Sequence, residues 1–154
     1  MKRSLEHRIP PVAVTLVSAA LMWLIAILAP AYPLPEKLRL ISMFLFVVAA
    51  LAFGILGVVA FHHANTTVNP LLPESCSHLV DDGIFRFTRN PMYLALLLAL
   101  VGWGLFLGNL WSLLIVVVFA WYINRYQIRP EEQALEAAFG DDFRRYRQRV
   151  RKWL

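Results

Sequence analysis

Three long stretches without charged residues dominate the pattern of this chain. No Asp, Glu, Lys or Arg occurs at residues 9–35, 40–73 or 90–124, which are 27, 34 and 35 residues long. A membrane-spanning helix needs about 20 predominantly apolar residues. The apolar positions are continuous and do not alternate with polar ones, which excludes a porin-type barrel. The pattern therefore predicts an all-α, polytopic integral membrane protein.

About four transmembrane helices are predicted, within a single membrane domain that comprises residues 1–154. The first two spans are expected at 12–29 and 38–61, on either side of a link with three prolines. The third uncharged stretch is too long for one helix, and its Gly108-Asn109 pair is typical of a turn. That turn divides it into a helical hairpin of 91–107 and 110–126. Glycines within the spans, at 54, 57 and 104, are expected to let neighbouring helices approach closely.

The residues after Pro130 form a polar tail with a helical pattern. Apolar side chains recur there at three- and four-residue steps, at Leu135, Ala138, Phe139, Phe143, Tyr146, Val150 and Trp153. Basic residues fill much of the remainder, at Arg144, Arg145, Arg147, Arg149, Arg151 and Lys152. The pattern predicts a carboxyl-terminal amphipathic helix, interrupted near Gly140, that lies along an anionic cytoplasmic membrane surface in contact with lipid headgroups.

Composition and charge support a membrane protein and set its orientation. Of the 154 residues, 59% are apolar and 16% are charged, whereas a soluble domain carries about 25% charged residues. The net charge of +5 does not indicate nucleic-acid binding, because no basic groove with interleaved aromatic residues is present. With the amino terminus inside, Lys37 and Arg39 alone of the 15 Lys and Arg residues fall outside. The positive-inside rule therefore places the 62–89 loop and the tail on the cytoplasmic side.

The cysteine and histidine residues indicate neither a disulfide nor a metal site. Cys76 is the single cysteine, so no internal disulfide can form. His62 and His63 are adjacent, and adjacent side chains point about 100° apart on a helix. Even with His78 in the following loop, we therefore predict no metal site.

Two short motifs concentrate polar groups at the predicted membrane surface, at residues 86–93 and 129–132. Arg89 lies about twenty residues before the Gly108-Asn109 turn and Arg129 about twenty after it. Two antiparallel helices of equal length return Arg129 to the level of Arg89. We therefore expect both arginines to meet the 131–132 glutamate pair at one cytoplasmic mouth.

Each motif also has a purely structural interpretation. Asn90-Pro91 is typical of an N-cap followed by proline at the first helical position. Pro130-Glu131-Glu132 is typical of a helix start whose acids are favoured by the helix macrodipole. Both interpretations are compatible with a binding site, since a helix amino terminus binds anions. Paired glutamates also accept hydrogen bonds from a ribose diol or an ammonium group.

The carboxyl-terminal half resembles a known enzyme family. The resemblance covers residues 79–150 and is carried, in order, by Leu79-Val80, Gly83, Phe85, Arg89-Asn90-Pro91, Tyr93, Glu131-Glu132, Leu135, Phe139-Gly140 and Tyr146. This ordered set resembles the isoprenylcysteine carboxyl methyltransferase family, in a wider group that includes the phospholipid N-methyltransferases. The resemblance implies a small member from a bacterial or archaeal cytoplasmic membrane, with its active site facing the cytoplasm. It further implies a methyltransferase that uses S-adenosyl-L-methionine and a lipophilic or lipid acceptor.

The resemblance also implies roles for individual residues. It implies that the cofactor is enclosed by Asn90, Pro91, Tyr93, Glu131 and Glu132, with backbone contacts from Leu79, Val80 and Gly83. It implies that Arg89 and Arg129 are the catalytic pair that holds a substrate carboxylate.

Three departures from the family pattern leave the acceptor open. Asn90 stands where the prenylcysteine enzymes usually carry His, Ala95 where Gly is usual, and Phe143 where Tyr is common. A carboxylate acceptor is already ionised near neutral pH and needs no base. The amine of a phospholipid, or a thiol, must lose a proton, so that Glu131, Glu132 or a loop histidine would be required as base.

Two hypotheses from other classes compete with a methyltransferase. Membrane sterol reductases that use NADPH resemble this architecture, but they are much larger and have more spans. A non-catalytic membrane scaffold would use the arginines and glutamates only at helix starts. Binding of S-adenosylhomocysteine but not NADPH would separate these possibilities. The sequence carries no signal for an oligomeric state.

Overall fold

The computed structural model describes residues 9–30, 34–63 and 79–154. Outside these ranges lie the basic residues Lys2, Arg3 and Arg8, together with Cys76 and His78. Within them the chain forms six α-helices and no strand: α1 Pro11–Leu28, α2 Glu36–His63, α3 Pro91–Leu107, α4 Leu110–Ile123, α5 Arg129–Phe139 and α6 Asp141–Arg149. A 3₁₀ turn, Gly83–Arg86, precedes α3, and a π-helical turn, Asn124–Ile128, joins α4 to α5.

The helices confirm the prediction of an all-α, polytopic membrane protein. Three are long and apolar enough to cross a membrane, namely α1, α2 and the continuous helix Leu110–Phe139, and α3 is a shorter apolar helix. The observed bounds lie within two residues of the predicted ones for the first three spans. The pattern of uncharged stretches thus located the spans correctly.

Helices α1 to α4 run in alternating directions. Arg39, near the start of α2, donates its Nε to the carbonyl of Phe106, near the end of α3, at 2.6 Å. Asn109, between α3 and α4, donates its side-chain nitrogen to the carbonyl of Ala29, just after α1, at 3.1 Å. These contacts gather the end of α1, the start of α2 and the α3–α4 turn at one end of the bundle. We call the opposite end, with the start of α1, the end of α2, the start of α3 and α5, the tail end.

The predicted hairpin turn is confirmed. Gly108 has φ +64°, a left-handed conformation that glycine adopts without a Cβ penalty. The Asn109 side-chain oxygen accepts hydrogen bonds from the backbone N–H groups of Trp111 at 2.9 Å and Ser112 at 3.2 Å. Asn109 is therefore the N-cap of α4.

Glycine allows α2 and α3 to pack closely, as predicted for Gly57. A Cβ built at Gly57 would lie 3.2 Å from the side chains of Pro91 and Met92. At Gly104 on α3, a Cβ would lie 2.8 Å from the end of the buried Met22 side chain of α1. A Cβ at either position would therefore force these neighbouring side chains to shift.

Proline at position 130 lies inside a continuous helix and does not start a new one. Proline lacks an N–H group and its ring clashes with the preceding turn of an α-helix. Here the Arg129 N–H bonds to the carbonyl of Asn124, five residues back, and this wider π turn precedes the proline. Pro130-Glu131-Glu132, interpreted from the sequence as a helix start, thus lies in the first turn of α5, which continues from the π turn without a break. At 1.5 Å per residue the Leu110–Phe139 helix is about 45 Å long, which exceeds the roughly 30 Å hydrocarbon core. Its charged end, α5, therefore extends beyond the span.

The tail packs against the protein through its apolar face. Phe143 and Tyr146 of α6 are 1% and 3% exposed, and both pack in a cluster with Val80 and Phe85. The Tyr146 hydroxyl also donates to the Phe85 carbonyl at 2.8 Å. The predicted break at Gly140 is confirmed, with φ +51° at that residue. Helical periodicity shows that a face is apolar and not what covers it, and here the protein itself covers it. The contact expected between the basic residues of the tail and lipid headgroups stays a prediction.

We predict that Gly102→Ala destabilises the protein while Gly54→Ala does not. Both glycines lie at the α2–α3 interface, but a Cβ at Gly102 would lie 2.8 Å from the Cβ of Phe46, whereas one at Gly54 would lie 3.6 Å from the Cβ of Ala95. Overpacking of this kind costs about 1–3 kcal/mol. Thermal unfolding in one detergent should show a lower midpoint for Gly102→Ala alone. Equal midpoints would contradict the packing described here.

Candidate active site

A cavity of about 550 Å³ lies at the tail end of the bundle. Its walls come from the start of α1, the end of α2, residues 79–85, the start of α3, α5 and α6. This volume lies within the range of small-molecule sites. Most of the lining is apolar; its polar side chains belong to Arg89, Asn90, Tyr93, Glu131, Glu132 and Tyr146.

The apolar part of the cavity is rich in aromatic rings. Phe61 from the end of α2 and Phe85 from the 3₁₀ turn meet edge to face, with ring centroids 5.3 Å apart. Phe139 and Phe143 from the two tail helices add to the same lining. These rings provide flat apolar surface against which a planar or hydrocarbon ligand can pack.

Glu131 is a partly buried carboxyl group without a cationic partner among the residues that the structure describes. The Tyr93 hydroxyl donates a hydrogen bond to its Oε1 atom. Burial raises the pKa of the Glu131 carboxyl to about 7, against the lowering effect of the Tyr93 hydrogen bond, and the neighbouring Glu132 charge raises it further. Glu131 can therefore exist in either protonation state near neutral pH.

Glu132, by contrast, forms a nearly buried ion pair with Arg89. Its Oε1 atom accepts from Nη2 of Arg89 at 2.7 Å and from Nε at 3.2 Å, and the two side chains are 12% and 9% exposed. The remaining Arg89 nitrogen, Nη1, donates to the carbonyls of Val150 and Arg147. All three guanidinium nitrogens are thus engaged by the protein itself.

The residues after α6, 150–153, which we call the terminal segment, are bonded to the three residues that precede α3. The Arg89 N–H donates to the Arg151 carbonyl at 3.0 Å. The Lys152 carbonyl accepts from the Thr88 hydroxyl at 3.2 Å and from the Asn90 side-chain nitrogen at 2.9 Å. Helix α3 does begin at Pro91 as predicted, but Asn90 makes no side-chain cap. Its side chain bonds to the terminal segment instead.

Most of the predicted site residues line this cavity. They are Leu79, Val80, Arg89, Asn90, Pro91, Tyr93, Glu131 and Glu132. Gly83 does not; it is exposed, with φ +54°, at the start of the 3₁₀ turn.

Arg129 is exposed and lies outside the cavity lining, so the expected meeting with Arg89 is not seen. The reason is rotation about the helix axis. At 100° per residue, Arg129 points roughly 100° away from the middle of the α5 face formed by residues 131, 132, 135 and 139. The prediction used only the rise along the helix, which fixes level but not direction.

Comparison with known proteins identifies the family. A family model for phospholipid methyltransferases matches residues 38–142, about two thirds of the chain and both polar motifs. The chain belongs to the phospholipid methyltransferase family. This places it among the membrane methyltransferases and confirms the suspected relationship.

Two relatives accompany the family match. An uncharacterized protein of Haemophilus influenzae is 54% identical over 63 residues, which are 41% of this chain and the whole of that protein. The protein-S-isoprenylcysteine O-methyltransferase of Schizosaccharomyces pombe is 35% identical over 72 residues, which are 47% of this chain and 30% of the yeast protein. The match with this chain thus covers less than a third of the length of the yeast relative.

Some lining residues of this methyltransferase were not found from the sequence. The sequence pattern identified Phe61 and Val58 only as part of a membrane span. It identified Pro11 and Val12 only with the start of another span. The amphipathic pattern did mark Phe143 as apolar, but not its place in a cavity. Whether each of these residues lines the cavity depends on which helices are neighbours.

We predict that Arg89→Lys loosens the tail of the methyltransferase. Lysine keeps the charge but cannot reproduce the planar set of donors that Arg89 uses. Loss of its bonds to the carbonyls of Arg147 and Val150 should favour local opening of residues 141–154. Trypsin cleavage within α6, followed by mass spectrometry, should be about tenfold faster. The control is Arg86→Lys at an exposed position, and equal cleavage of the two variants would show that Arg89 does not hold the tail.

Proposed function

We propose that this membrane methyltransferase uses S-adenosyl-L-methionine as methyl donor and methylates a lipophilic acceptor at the tail end of the bundle. One observation carries the proposal. A largely apolar cavity of about 550 Å³ has at its polar end a partly buried carboxyl group, Glu131, without a cationic partner in the described part of the chain. Family membership supports methyl transfer as the reaction.

The charges of the cavity suit this donor. Arg89 balances Glu132, so that Glu131 carries the excess negative charge among the lining residues. S-adenosyl-L-methionine has a sulfonium and an ammonium group, both cationic, and a ribose diol that donates hydrogen bonds. Glu131 and Asn90 would hold these polar parts, and aromatic residues such as Phe85 and Phe143 would pack against its flat adenine ring. When bound, the donor supplies an electrophilic methyl group.

The protein's own contribution is positioning and exclusion of water. Displacement at a sulfonium methyl group requires the nucleophile and the leaving sulfur to be in line, which is mainly a problem of orientation. Apolar residues from α2 and α3, including Val58 and Leu96, line the cavity and would hold the hydrocarbon part of the acceptor. A site closed to water also strengthens the electrostatic interactions of Glu131 with a cationic ligand.

Within this proposal, an acceptor that must lose a proton fits the site best. Glu132 is held by cations, whereas Glu131 has a pKa near 7 and can accept a proton from a lipid amine or a thiol. The arrangement expected for a carboxylate acceptor required Arg89 and Arg129 together, and Arg129 lies outside the cavity lining.

A carboxylate acceptor of the isoprenylcysteine type is the second candidate. The similarity to the yeast isoprenylcysteine enzyme favours it, as does the presence of Arg89 in the cavity wall. Arg89 would then have to exchange one of its present partners for the substrate.

Methyl transfer from labelled S-adenosyl-L-methionine tests the function and the acceptor together. Purified protein in detergent would be assayed against phosphatidylethanolamine, lipophilic thiols and prenylcysteines. Labelling of an amine or thiol supports the first candidate, and labelling of a prenylcysteine supports the second. Absence of labelling together with absence of S-adenosylhomocysteine binding would refute the proposed function.

We predict that Glu131→Gln weakens donor binding at least tenfold. Hydrogen bonds to a charged group contribute about 1.5–3 kcal/mol, which corresponds to roughly 10- to 100-fold in affinity. Calorimetry with S-adenosyl-L-methionine provides the measurement. Glu136→Gln is the matched control, because Glu136 is on the same helix but outside the cavity lining; a similar loss in both variants would speak against a specific role of Glu131.

We also predict that donor affinity rises with pH. Below pH 6 the Glu131 carboxyl, with its pKa of about 7, is mostly protonated, and above pH 8 it is mostly ionised. A cation binds the ionised form, so the affinity for S-adenosyl-L-methionine should increase about tenfold between these values. The ratio of wild-type to Glu131→Gln affinities removes the titration of the ligand itself. A ratio that does not change with pH would contradict the assignment.

A further inference from the structure

We propose that Lys152 is a positioning residue of this active site: its ammonium group fixes Glu132 and thereby the polar end of the cavity. This inference rests on the proposed function. Lys152 does not line the cavity, so any effect on ligand binding must pass through its partners. It also lies beyond residues 38–142, which the family model matches.

Lys152 completes the set of contacts around Glu132. Its Nζ atom lies 3.3 Å from Oε2 of Glu132, while Arg89 occupies Oε1. The same Nζ donates to the side-chain oxygen of Asn124 at 2.9 Å. Both oxygens of Glu132 are therefore held by cations, one from the residues before α3 and one from the terminal segment.

The π turn explains how one ammonium group reaches both partners. Asn124 and Glu132 are eight residues apart, and in an uninterrupted α-helix they would point roughly 80° apart at 100° per residue. The extra residue in the π turn removes about 100° of rotation. The two side chains then differ by only about 20°, which places them on one face beside Lys152.

The backbone around Lys152 is fixed independently of its ammonium group. Its carbonyl accepts hydrogen bonds from Thr88 and Asn90, and the following Trp153 packs against the cluster that contains Ile128. The side chain therefore starts from an anchored position, which lowers the entropic cost of holding Glu132.

This arrangement gives the adjacent glutamates different roles. Glu132 is turned toward Lys152 and Arg89, so that Glu131 alone offers a free carboxyl oxygen to the ligand. Without the ammonium group, Oε2 of Glu132 loses its partner, and the preorganised polar end of the cavity is lost. Loss of a nearby positive charge also makes the Glu131 carboxyl group easier to protonate.

Replacement of Lys152 by methionine tests the proposal. In the full-length protein, Lys152→Met should raise the Kd for S-adenosylhomocysteine at least fivefold. The loss of binding at low pH should also begin at a higher pH than in the wild type. Among the residues that the structure describes, the charged and titratable groups that face Glu132 are Arg89, Lys152, Glu131 and, through Glu131, Tyr93. Lys152→Arg should restore the wild-type pH profile.

Two controls separate positioning from general effects. Arg151→Met removes the same charge from the neighbouring, exposed side chain and should leave the Kd within twofold. In a Glu132→Gln background, Lys152→Met should add less than a twofold change, because its effect passes through Glu132. The unfolding midpoint of ligand-free Lys152→Met should stay within a few degrees of the wild type.

The outcomes are distinguishable. A wild-type Kd and pH profile in Lys152→Met, or an undiminished effect in the Glu132→Gln background, would overturn the role of Lys152 while leaving the proposed function intact. A variant that loses its fold would show a structural role and would likewise overturn the inference. If the wild-type protein itself fails to bind S-adenosylhomocysteine, the proposed function fails instead.

Discussion

The ion pair between Arg89 and Glu132 is the interaction on which the tail end of this protein depends. It joins the residues before α3 to α5, and the spare nitrogen of Arg89 also holds the carbonyls of the tail. Both side chains are nearly removed from water. Loss of Glu132 would leave the Arg89 charge without its carboxylate partner, and loss of Arg89 would leave Glu132 with Lys152 alone, so either loss is destabilising. This pair of side chains therefore holds together the cavity walls that come from α3, α5 and α6.

That pair can form only because the helix after α4 has the correct rotation. Pro130 would disrupt a regular α-helix, and the π turn at 124–128 accommodates it without a break. The same turn buries Gln127, whose side chain donates to the Ile9 carbonyl at 3.0 Å. One local irregularity therefore orients α5 toward the cavity and fixes the start of α1 beside it, in agreement with the frequent occurrence of π turns at functional sites.

Those features that depend on nearby residues could be predicted from the sequence, and those that depend on tertiary neighbours could not. Uncharged stretches located the spans, and Gly108-Asn109 located the hairpin turn, because hydropathy and turn chemistry act locally. The direction of Arg129 depends on rotation through the π turn, which no residue pattern indicated. The burial of Phe143 and the contacts of Lys152 depend on how the tail folds back, since an apolar face or a basic residue does not name its partner.

The two adjacent glutamates differ in their surroundings, so that one can stabilise the fold while the other can contact a ligand. Neighbouring side chains on a helix point about 100° apart, so Glu131 and Glu132 enter different surroundings although they are consecutive. Glu132 meets two cations, whereas Glu131 meets the Tyr93 hydroxyl and the cavity. Two carboxylates with the same partners would compete for them and for the ligand. Because Glu132 engages both cations directly, Glu131 keeps a carboxyl oxygen available to a ligand in an apolar site, where electrostatic interactions are strongest. The vicinal pair is therefore better suited to binding a cationic methyl donor than two equivalent acids would be.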